Sequence, residues 1–308
     1  MQRRQFIGTV ASGLIAGLVT VPGGARAADA NATARGGEHS SDELARSIEA
    51  QLAAIETRVA GRLGVSILDT HSGFAAGYRE NERFPMCSTF KALAAAAVLA
   101  RVDQQLDDLS RRIVFSREDL VPYSPETGKH TGGKGMTLSE LCEAAVTLSD
   151  NTAGNLLLAS IGGPAGLTAF ARRLGDTVTR LDRNEPTLNE ALPGDPRDTT
   201  SPAAMRATLR TLSLGNRLSP SSRDRWLAWL EANQTGGERI RAGLPKGWRV
   251  GDKTGTGERG TTNDIAIVWP PGRGPIIVTV YLTAATAAAA QRNAALAEVG
   301  RLAASIVG

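Results

Sequence analysis

The spacing of apolar residues changes along the chain and predicts where helices and strands lie. Between Leu44 and Ile55 the apolar residues follow a helical period, and the pattern Ser40-Ser41-Asp42-Glu43 is a capping box at which a first helix begins. Two short apolar runs follow on either side of a Thr-His-Ser-Gly turn. They predict a pair of strands, at 63–68 and 74–78.

The middle of the chain, from about 88 to 231, has a helical pattern. Its alanine-rich start predicts a helix that begins at Ser88 or Thr89, and Thr137-x-x-Glu140 predicts a capped helix further on. Only the stretch from about 176 to 200 is polar and aperiodic, and its length suggests a functional loop. The C-terminal part returns to strands and ends in an alanine-rich helix, with the strands at 248–253, 264–269 and 276–283 and the helix at about 286–306.

Strands at both ends with helices between them predict an α+β fold. We expect an antiparallel sheet flanked by N- and C-terminal helices, with an all-helical lobe inserted into it. Residues 28–85 and 232–308 would form the α/β lobe, and residues 86–231 the helical lobe. The active site would lie between the two lobes.

The N-terminal residues 1–27 have the pattern of a signal peptide. The segment Gln2-Arg3-Arg4-Gln5-Phe6-Ile7 is a twin-arginine pattern, a short glycine-containing apolar stretch follows, and Ala25-Arg26-Ala27 offers small residues for cleavage. The processed protein would be periplasmic or secreted, without stable membrane association. A permanent N-terminal anchor and a Sec-type signal are the alternatives.

Charge and composition narrow the class of protein. Without the leader, which contains three arginines and no acid, the formal charge falls from +4 to +1, and only 4% of the residues are aromatic. These values argue against a nucleic-acid partner. The three histidines have no zinc-site spacing, and two cysteines do not make a disulfide framework. We therefore expect a monomer without metal or cofactor.

Three short motifs carry the candidate chemistry: Ser88-Thr89-Phe90-Lys91, Ser149-Asp150-Asn151 and Lys253-Thr254-Gly255. Each has an ordinary interpretation by itself, as a helix cap, a helix-end turn or the end of an edge strand. Their order and wide separation favour a serine acyl-transfer site built without histidine. A serine nucleophile needs an adjacent base. Here the base is either a lysine of lowered pKa, Lys91, or a carboxylate that acts through water.

The remaining motif residues fit the same chemistry. Ser149 can relay a proton to a leaving nitrogen, and Asn151 can hydrogen-bond a substrate amide. Lys253 and Thr254 offer charge and a hydroxyl to a substrate carboxylate. Gly255 would let the substrate approach the backbone closely.

This motif set resembles that of the serine β-lactamases and penicillin-binding proteins. The pattern Glu185-Pro186-Thr187-Leu188-Asn189, inside the aperiodic loop, narrows the resemblance to class A β-lactamases. The resemblance implies hydrolysis of the β-lactam amide of penicillins and cephalosporins through an acyl-serine intermediate, and hence antibiotic resistance. The substrate would be a small-molecule β-lactam.

The resemblance also implies a role for each site residue. Ser88 would be the nucleophile, with Lys91 or Glu185 as acylation base, and Ser149 and Lys253 would deliver the proton to the ring nitrogen. Glu185 and Asn189 would hold the deacylating water. The other substrate-binding residues would be Tyr123, Asn151, Arg239, Thr254, Gly255 and Thr256. Arg183 and Asp198 match the ion pair that holds the loop in this family.

Two departures from the family pattern concern cysteines. The family's common disulfide would need a cysteine at Ala95 to pair with Cys142, and the bridge found in carbapenem-hydrolysing relatives would need one at Gly257 to pair with Cys87. Neither bridge can form, and both cysteines are expected to be small buried residues.

Two other functions use most of the same residues. A D-alanyl-D-alanine peptidase or transpeptidase would need Ser88, Lys91, Ser149 and Lys253 but not Glu185. A penicillin-sensing domain would be acylated once and stop. Glu185 is the residue that favours a hydrolase over both.

Overall fold

The computed structural model describes residues 26–307, with side chains described from Ser41 onward. The predicted leader, 1–27, lies outside the described residues except for its last two. Glu43–Gly308 form one compact unit, which contains all the candidate site residues. No helix within 26–307 is long and apolar enough to cross a bilayer.

The described part of the chain contains nine strands and nine helices. The strands are β1 (Arg62–Asp69), β2 (Ala75–Tyr78), β3 (Phe84–Pro85), β4 (Arg112–Ile113), β5 (Met136–Thr137), β6 (Thr199–Thr200), β7 (Arg249–Thr256), β8 (Thr262–Trp269) and β9 (Ile276–Thr283). The helices are α1 (Arg26–Val59), α2 (Phe90–Asp103), α3 (Leu138–Thr147), α4 (Asn151–Ser160), α5 (Gly163–Arg173), α6 (Pro202–Leu214), α7 (Pro220–Glu231), α8 (Ile240–Gly243) and α9 (Ala289–Ser305). Three short 3-10 turns lie at Cys87–Thr89, Thr127–Lys129 and Thr187–Asn189.

Five strands form one antiparallel sheet in the order β2-β1-β9-β8-β7. The first strand of the chain pairs with the last, with Val65 opposite Val280, so the two ends of the sequence meet in the middle of the sheet. The predicted α+β fold, with helices inserted between N-terminal and C-terminal strands, is therefore confirmed. Strand β7, which carries the Lys-Thr-Gly motif, lies at an edge of this sheet.

Both faces of the sheet are buried, and alternate residues of a strand enter different cores. On β8, Ala266 and Val268 pack with apolar residues of α1 and α9, whereas Ile265 and Ile267 pack with the helices that lie between β3 and β7 in the sequence. A strand segment that is buried on both faces can have apolar residues at consecutive positions. This is why the run before Trp269 lacks a clear polar alternation.

Helix α2 lies at the centre of the helical lobe. Its residues from Phe90 to Ala100 are all buried, and most of them are alanine. Small side chains let neighbouring helices approach closely, and α3, α4, α5 and α7 all pack around it. The indole Nε1 of Trp226 on α7 donates to the carbonyl oxygen of Ala92 at 2.9 Å, which fixes α7 against it.

Two predicted helix starts were wrong. Helix α1 begins at Arg26 rather than at the predicted capping box, because the alanine-rich sequence before that box also favours helix. Helix α2 begins at Phe90, after a 3-10 turn that contains Ser88 and Thr89. The capping box at Thr137 and Glu140 was confirmed in both of its hydrogen bonds.

Candidate active site

The motif serine lies in a strained turn at the start of the central helix. Ser88 is in the 3-10 turn Cys87–Thr89, and Cys87 before it has a left-handed φ of 46°. The turn is held from both sides, since Met86 N donates to the Asp198 carbonyl at 2.8 Å and the Thr89 hydroxyl donates to the Met86 carbonyl at 2.9 Å. Strain of this kind persists only where the surroundings enforce it, as they do at many functional sites.

Lys91 is buried directly beneath Ser88. Its ammonium donates to Ser88 Oγ at 2.8 Å, to the Ser149 carbonyl at 2.9 Å and to Asn151 Oδ1 at 2.6 Å. It also lies 2.9 Å from Glu185 Oε1. Burial lowers the pKa of Lys91, and the nearby Glu185 carboxylate opposes that shift. The lysine is therefore placed to exchange a proton with the serine.

Glu185 is held by two asparagines. The amide of Asn155 makes two hydrogen bonds to its backbone, with Nδ2 donating to the Glu185 carbonyl at 3.0 Å and Oδ1 accepting from Glu185 N at 2.9 Å. Asn189 Nδ2 donates to Glu185 Oε2 at 2.5 Å, and Ser88 Oγ donates to Oε1 at 3.0 Å. The carboxylate is thus fixed beside Ser88, and the peptide bond that follows it, to Pro186, is cis.

One polar atom near this carboxylate has no partner. Asn189 Oδ1 is buried and accepts no hydrogen bond from the residues that the structure describes. An unsatisfied buried acceptor is rare and unfavourable, so it marks a place where a donor such as water is expected.

The expected ion pair anchors the loop that contains Glu185. Arg183 Nε lies 2.6 Å from Asp198 Oδ2, and Asp198 is fully buried. The other oxygen of Asp198 accepts the backbone N–H groups of Asp182 and Arg183 at 2.8 and 2.9 Å. Because the Asp198 carbonyl also accepts from Met86, this one residue connects the loop to the turn that contains Ser88.

The second and third motifs meet across the site. Lys253 Nζ on β7 donates to Ser149 Oγ at 3.0 Å, and Ser149 adopts a left-handed φ of 59° between α3 and α4. Burial, and then the charge of Lys91, lower the pKa of Lys253 well below its ordinary value. Asp150 caps α4 by accepting from Ala153 N at 2.9 Å, which fixes the turn that presents Ser149.

Arg239 and the end of β7 form the cationic end of the site. The guanidinium donates to the carbonyls of Gly255 and Asn263 at 2.9 and 2.7 Å and to Thr256 Oγ1 at 2.8 Å. Thr254 Oγ1 lies 2.5 Å from Thr235 Oγ1. Charge and hydroxyl groups therefore meet at one end of the site, as the sequence predicts.

Gly255 is needed for packing. A Cβ at this position would lie 2.8 Å from the Met86 carbonyl oxygen and 3.1 Å from Thr89 Cγ2. The glycine thus lets β7 approach the turn that contains Ser88, and the expected close approach of the substrate to Gly255 stays a prediction.

These groups surround a cavity of about 440 Å³. Tyr123 stands at its edge, 61% exposed and with a left-handed φ of 64°. Lys91, Glu185 and Lys253 are buried behind the cavity wall. The residues that line the cavity are Ser88, Tyr123, Ser149, Asn151, Asn189, Thr235, Arg239, Thr254 and Thr256.

Sequence reasoning missed two residues of this site, Asn155 and Thr235. Asn155 lies four residues after Asn151 on α4, so the two share one face of the helix, and this spacing could have revealed it. Thr235 lies in the connection after α7 and gives no sequence signal. The side chain of Asn151 already makes hydrogen bonds within the protein, since its Nδ2 donates to the Pro122 carbonyl at 2.8 Å.

Comparison with known proteins places residues 47–307 within a family model described as the beta-lactamase enzyme family. The chain is 50% identical to beta-lactamase CTX-M-8 of Citrobacter amalonaticus over 258 residues, which is 84% of this chain and 88% of that protein. It is 44% identical to a beta-lactamase of Streptomyces albus G over 311 residues, or 99% of this chain and 97% of the relative.

Solved structures give the same result. The ancestral class A beta-lactamase GNCA superposes with a TM-score of 0.82 at 67% identity, covering 84% of this chain and 99% of its own. The putative class A beta-lactamase PenP of Rhodopseudomonas palustris superposes with a TM-score of 0.83 at 62% identity, with the same coverage of 84% and 99%.

Proposed function

The chain belongs to the class A β-lactamases, and we propose that its reaction cycle runs through Ser88. As a serine β-lactamase it hydrolyses the β-lactam amide of penicillins and cephalosporins through an acyl-serine intermediate, and so confers resistance to them. The observation that supports Ser88 as the nucleophile is its position between two possible bases, with Lys91 Nζ at 2.8 Å and Glu185 Oε1 at 3.0 Å.

In acylation, Ser88 Oγ forms a bond to the carbonyl carbon of the lactam. Its proton passes to Lys91 or to Glu185, since both lie within hydrogen-bond distance. The negative charge that develops on the carbonyl oxygen is stabilised by the backbone N–H groups of Ser88 and Thr256. Loss of one such donor typically lowers kcat by about 10²–10³.

Ring opening needs a proton on the lactam nitrogen when the C–N bond breaks. Ser149 gives its hydroxyl proton to that nitrogen and takes a proton in its place from Lys253, which donates to Ser149 Oγ at 3.0 Å. The proton that Ser88 released in acylation balances the one that the nitrogen gains. The positive charge of Lys253 favours the arrival of an anionic substrate at this point. Lys253 is fully buried, so its charge is little screened by solvent.

Deacylation depends on Glu185 and Asn189. A water bound between the Glu185 carboxylate and the unpartnered Asn189 Oδ1 attacks the ester carbonyl and gives its proton to Glu185. The bond from the carbonyl carbon to Ser88 Oγ then breaks, and Glu185 returns the proton to Ser88 Oγ, 3.0 Å away. The supporting observation is the fixed position of Glu185 beside Ser88.

The substrate's carboxylate binds at the cationic end, to Thr254, Thr256 and Arg239. Asn151 hydrogen-bonds the amide of the substrate side chain, and Tyr123 forms an aromatic wall at the entrance. Gly255 contributes to this end of the site by keeping β7 close to Ser88.

Turnover of a chromogenic cephalosporin tests the proposal against its two alternatives. A hydrolase converts many substrate molecules per enzyme, whereas a penicillin-sensing domain is labelled once. A D-alanyl-D-alanine peptidase or transpeptidase would be labelled by the cephalosporin and would cleave a D-alanyl-D-alanine peptide. One-to-one labelling without turnover would overturn the proposed roles of Glu185 and Asn189.

We further propose that the chain is exported as a precursor with a twin-arginine leader at 1–27 and acts in the periplasm or outside the cell as a monomer. The support comes from the sequence of the leader and from the family, whose substrates reach the cell from outside. Mass spectrometry of the exported protein tests the cleavage site. Size-exclusion chromatography tests whether the protein is a monomer.

A further inference from the structure

A line of hydrogen bonds leads from a buried carboxyl pair to the cationic end of the cavity. Asp252, next to Lys253 on β7, is fully buried. Its Oδ1 accepts from Arg241 Nε at 2.5 Å and its Oδ2 from Asn233 Nδ2 at 2.6 Å. A carboxylate only accepts hydrogen bonds, so the amide nitrogen of Asn233 faces Asp252 and its oxygen faces the opposite way.

A second carboxyl group behind Asp252 supports this orientation. Burial and the charge of Asp252 raise the pKa of Asp264 well above its ordinary value. Burial raises the pKa of Asp252 as well, but its donors Arg241 and Asn233 oppose that shift and favour the carboxylate form of Asp252. The orientation of the Asn233 amide is fixed by groups outside the cavity.

The amide oxygen of Asn233 fixes Thr235. It accepts the backbone N–H of Thr235 at 3.0 Å and the hydroxyl of Thr235 at 2.8 Å. The same hydroxyl oxygen lies 2.5 Å from Thr254 Oγ1. Because a hydroxyl has one proton, and Thr235 directs its proton to Asn233, the proton between the two threonines comes from Thr254 in this arrangement.

Substrate binding requires a different arrangement of these protons. If Thr254 donates to the substrate carboxylate, its proton no longer lies between the two hydroxyl oxygens. Thr235 must then turn its own proton toward Thr254. The amide oxygen of Asn233 still accepts a hydrogen bond from the backbone N–H of Thr235. Turning the Thr235 hydroxyl proton toward Thr254 therefore leaves no buried acceptor without a partner.

We propose that Thr235 is a positioning residue, whose hydroxyl holds that of Thr254 in place and donates to it when Thr254 binds the substrate carboxylate. The inference rests on the proposed function, which places the carboxylate beside Thr254. The series of hydrogen bonds from Asp252 through Asn233 to Thr235 thereby fixes the Thr254 hydroxyl before the substrate binds.

The test compares Thr235→Ala with Thr235→Ser on benzylpenicillin and on its methyl ester. Without the Thr235 hydroxyl, Thr254 must be ordered on binding, which typically corresponds to a loss of about twofold to tenfold in affinity. We expect Thr235→Ala to raise KM for the free acid by about fivefold, with kcat changed by less than about twofold, and to leave KM for the ester unchanged. Thr235→Ser should behave like the wild type.

Two controls separate positioning from general damage to the fold. Thr283→Ala removes a hydroxyl from another close threonine pair, Thr261 with Thr283 at 2.8 Å, which does not line the cavity, and it should leave KM unchanged. In a Thr254→Ala background, Thr235→Ala should have no further effect on KM, because Thr235 acts through Thr254. The thermal midpoint of each variant shows whether it is folded.

The results distinguish this inference from the proposed function. Equal KM values of the wild type for acid and ester would overturn the carboxylate site and the inference with it. Suppose that the wild type has a lower KM for the acid than for the ester, and that Thr235→Ala has the same ratio of the two KM values. That result would overturn the inference about Thr235 but not the carboxylate site. Additive effects of the two alanine substitutions would also overturn it, because they would mean that Thr235 contacts the carboxylate independently.

Discussion

At the scale of single residues, the site combines two buried lysines with one carboxylate. Burial lowers the pKa of both lysines, but the consequences for function differ. A lowered pKa makes Lys91 a better base, since its neutral form becomes accessible. In the proposed cycle Lys253 works through its charge, so the same shift would limit its function at high pH. Glu185 lies close to Lys91 and is the residue on which we propose that hydrolysis depends.

Replacing Glu185 by alanine should separate the two halves of the reaction. Lys91 remains beside Ser88, so acylation continues, whereas the deacylating water loses its base. General-base catalysis contributes typically 10²–10⁴-fold, so we expect kcat to fall by about 10³. Intact-mass measurement after addition of a penicillin should find the acyl-enzyme accumulated.

Ser88→Ala is the matched control, and it should carry no covalent label. Free Glu185→Ala enzyme with undiminished turnover would contradict the role given to Glu185. Labelled Ser88→Ala enzyme would mean that the nucleophile is another residue.

The lowered pKa of Lys253 predicts that activity falls at alkaline pH. As pH rises through its lowered pKa, Lys253 loses its proton and can no longer hold an anionic substrate. We therefore expect kcat/KM to decline at a pH below the ordinary lysine pKa of 10.5. An arginine keeps its charge to above about pH 12, so Lys253→Arg should move the decline to higher pH, even if its maximal activity is lower.

The pH dependence of kcat/KM for benzylpenicillin measures this effect. Lys246→Arg, at an exposed lysine outside the site, should leave the profile unchanged. An alkaline limb at the same pH in Lys253→Arg and the wild type would assign it to another group.

At the scale of elements, the sequence predicted best those strand limits that depend on residues close together in the chain. The apolar run at 276–283 is bounded by turns, and the structure has β9 with the same limits. Strand β7 extends past the predicted 248–253 to Thr256, because its polar Lys-Thr-Gly-Thr end pairs with β8, with Thr254 opposite Asp264. Such pairing depends on residues distant in sequence, which local composition does not reveal.

The same distinction applies to the site. Ser88 and Lys91 are three residues apart, so their proximity follows from local geometry. Thr235 is invisible in the sequence because its partner Thr254 comes from another element. The turn at Ser88 was predicted as helix because the contact that holds it, from Met86 to Asp198, joins residues far apart in the chain.

The loop that carries Glu185 should depend on the ion pair of Arg183 with Asp198. Removing one partner of a buried pair leaves the other unpaired, and Arg183 is itself only 16% exposed at its side chain. We expect Arg183→Met to lower the free energy of unfolding by about 3 kcal/mol. It should also slow deacylation, because Glu185 is held less firmly.

Arg180→Met is the control, since Arg180 pairs with Asp182 in the same loop but its side chain is 41% exposed. An exposed pair contributes at most about 1 kcal/mol. Denaturant unfolding and the fraction of acyl-enzyme at steady state measure the two effects. Equal stability losses in the two variants would contradict the anchoring role of Asp198.

At the scale of the whole molecule, the sheet separates two cores and the site forms where the helical core meets its edge. The 3-10 turn Cys87–Thr89 places Ser88 against strand β7, and Lys91 follows in the first turn of α2; both α2 and β7 are largely buried. Glu185 comes instead from an aperiodic loop. The division between the α/β lobe of 28–85 and 232–308 and the helical lobe of 86–231 remains a prediction. In the proposed cycle, binding and acylation therefore rest on packed helices and strands, whereas hydrolysis depends on a loop.

The export of the whole chain gives the last prediction, and it concerns residues 1–27, most of which lie outside the described part of the structure. A twin-arginine leader is read by a receptor that requires the arginine pair itself. Changing Arg3 and Arg4 together to lysine keeps the charge but removes the pair. We expect the unprocessed protein to remain in the cytoplasm, folded and active, and the periplasmic β-lactamase activity to fall at least about tenfold.

Cell fractionation with a chromogenic cephalosporin measures this distribution, and intact mass reports processing. Arg26→Lys makes the same change at a leader arginine outside the pair, and it should leave export intact. Unchanged periplasmic activity and mature mass in the double lysine variant would favour a Sec-type signal. Because a Sec substrate crosses the membrane unfolded, that result would also mean that the buried Lys91 and Lys253 first become desolvated after export, when the chain folds outside the cytoplasm.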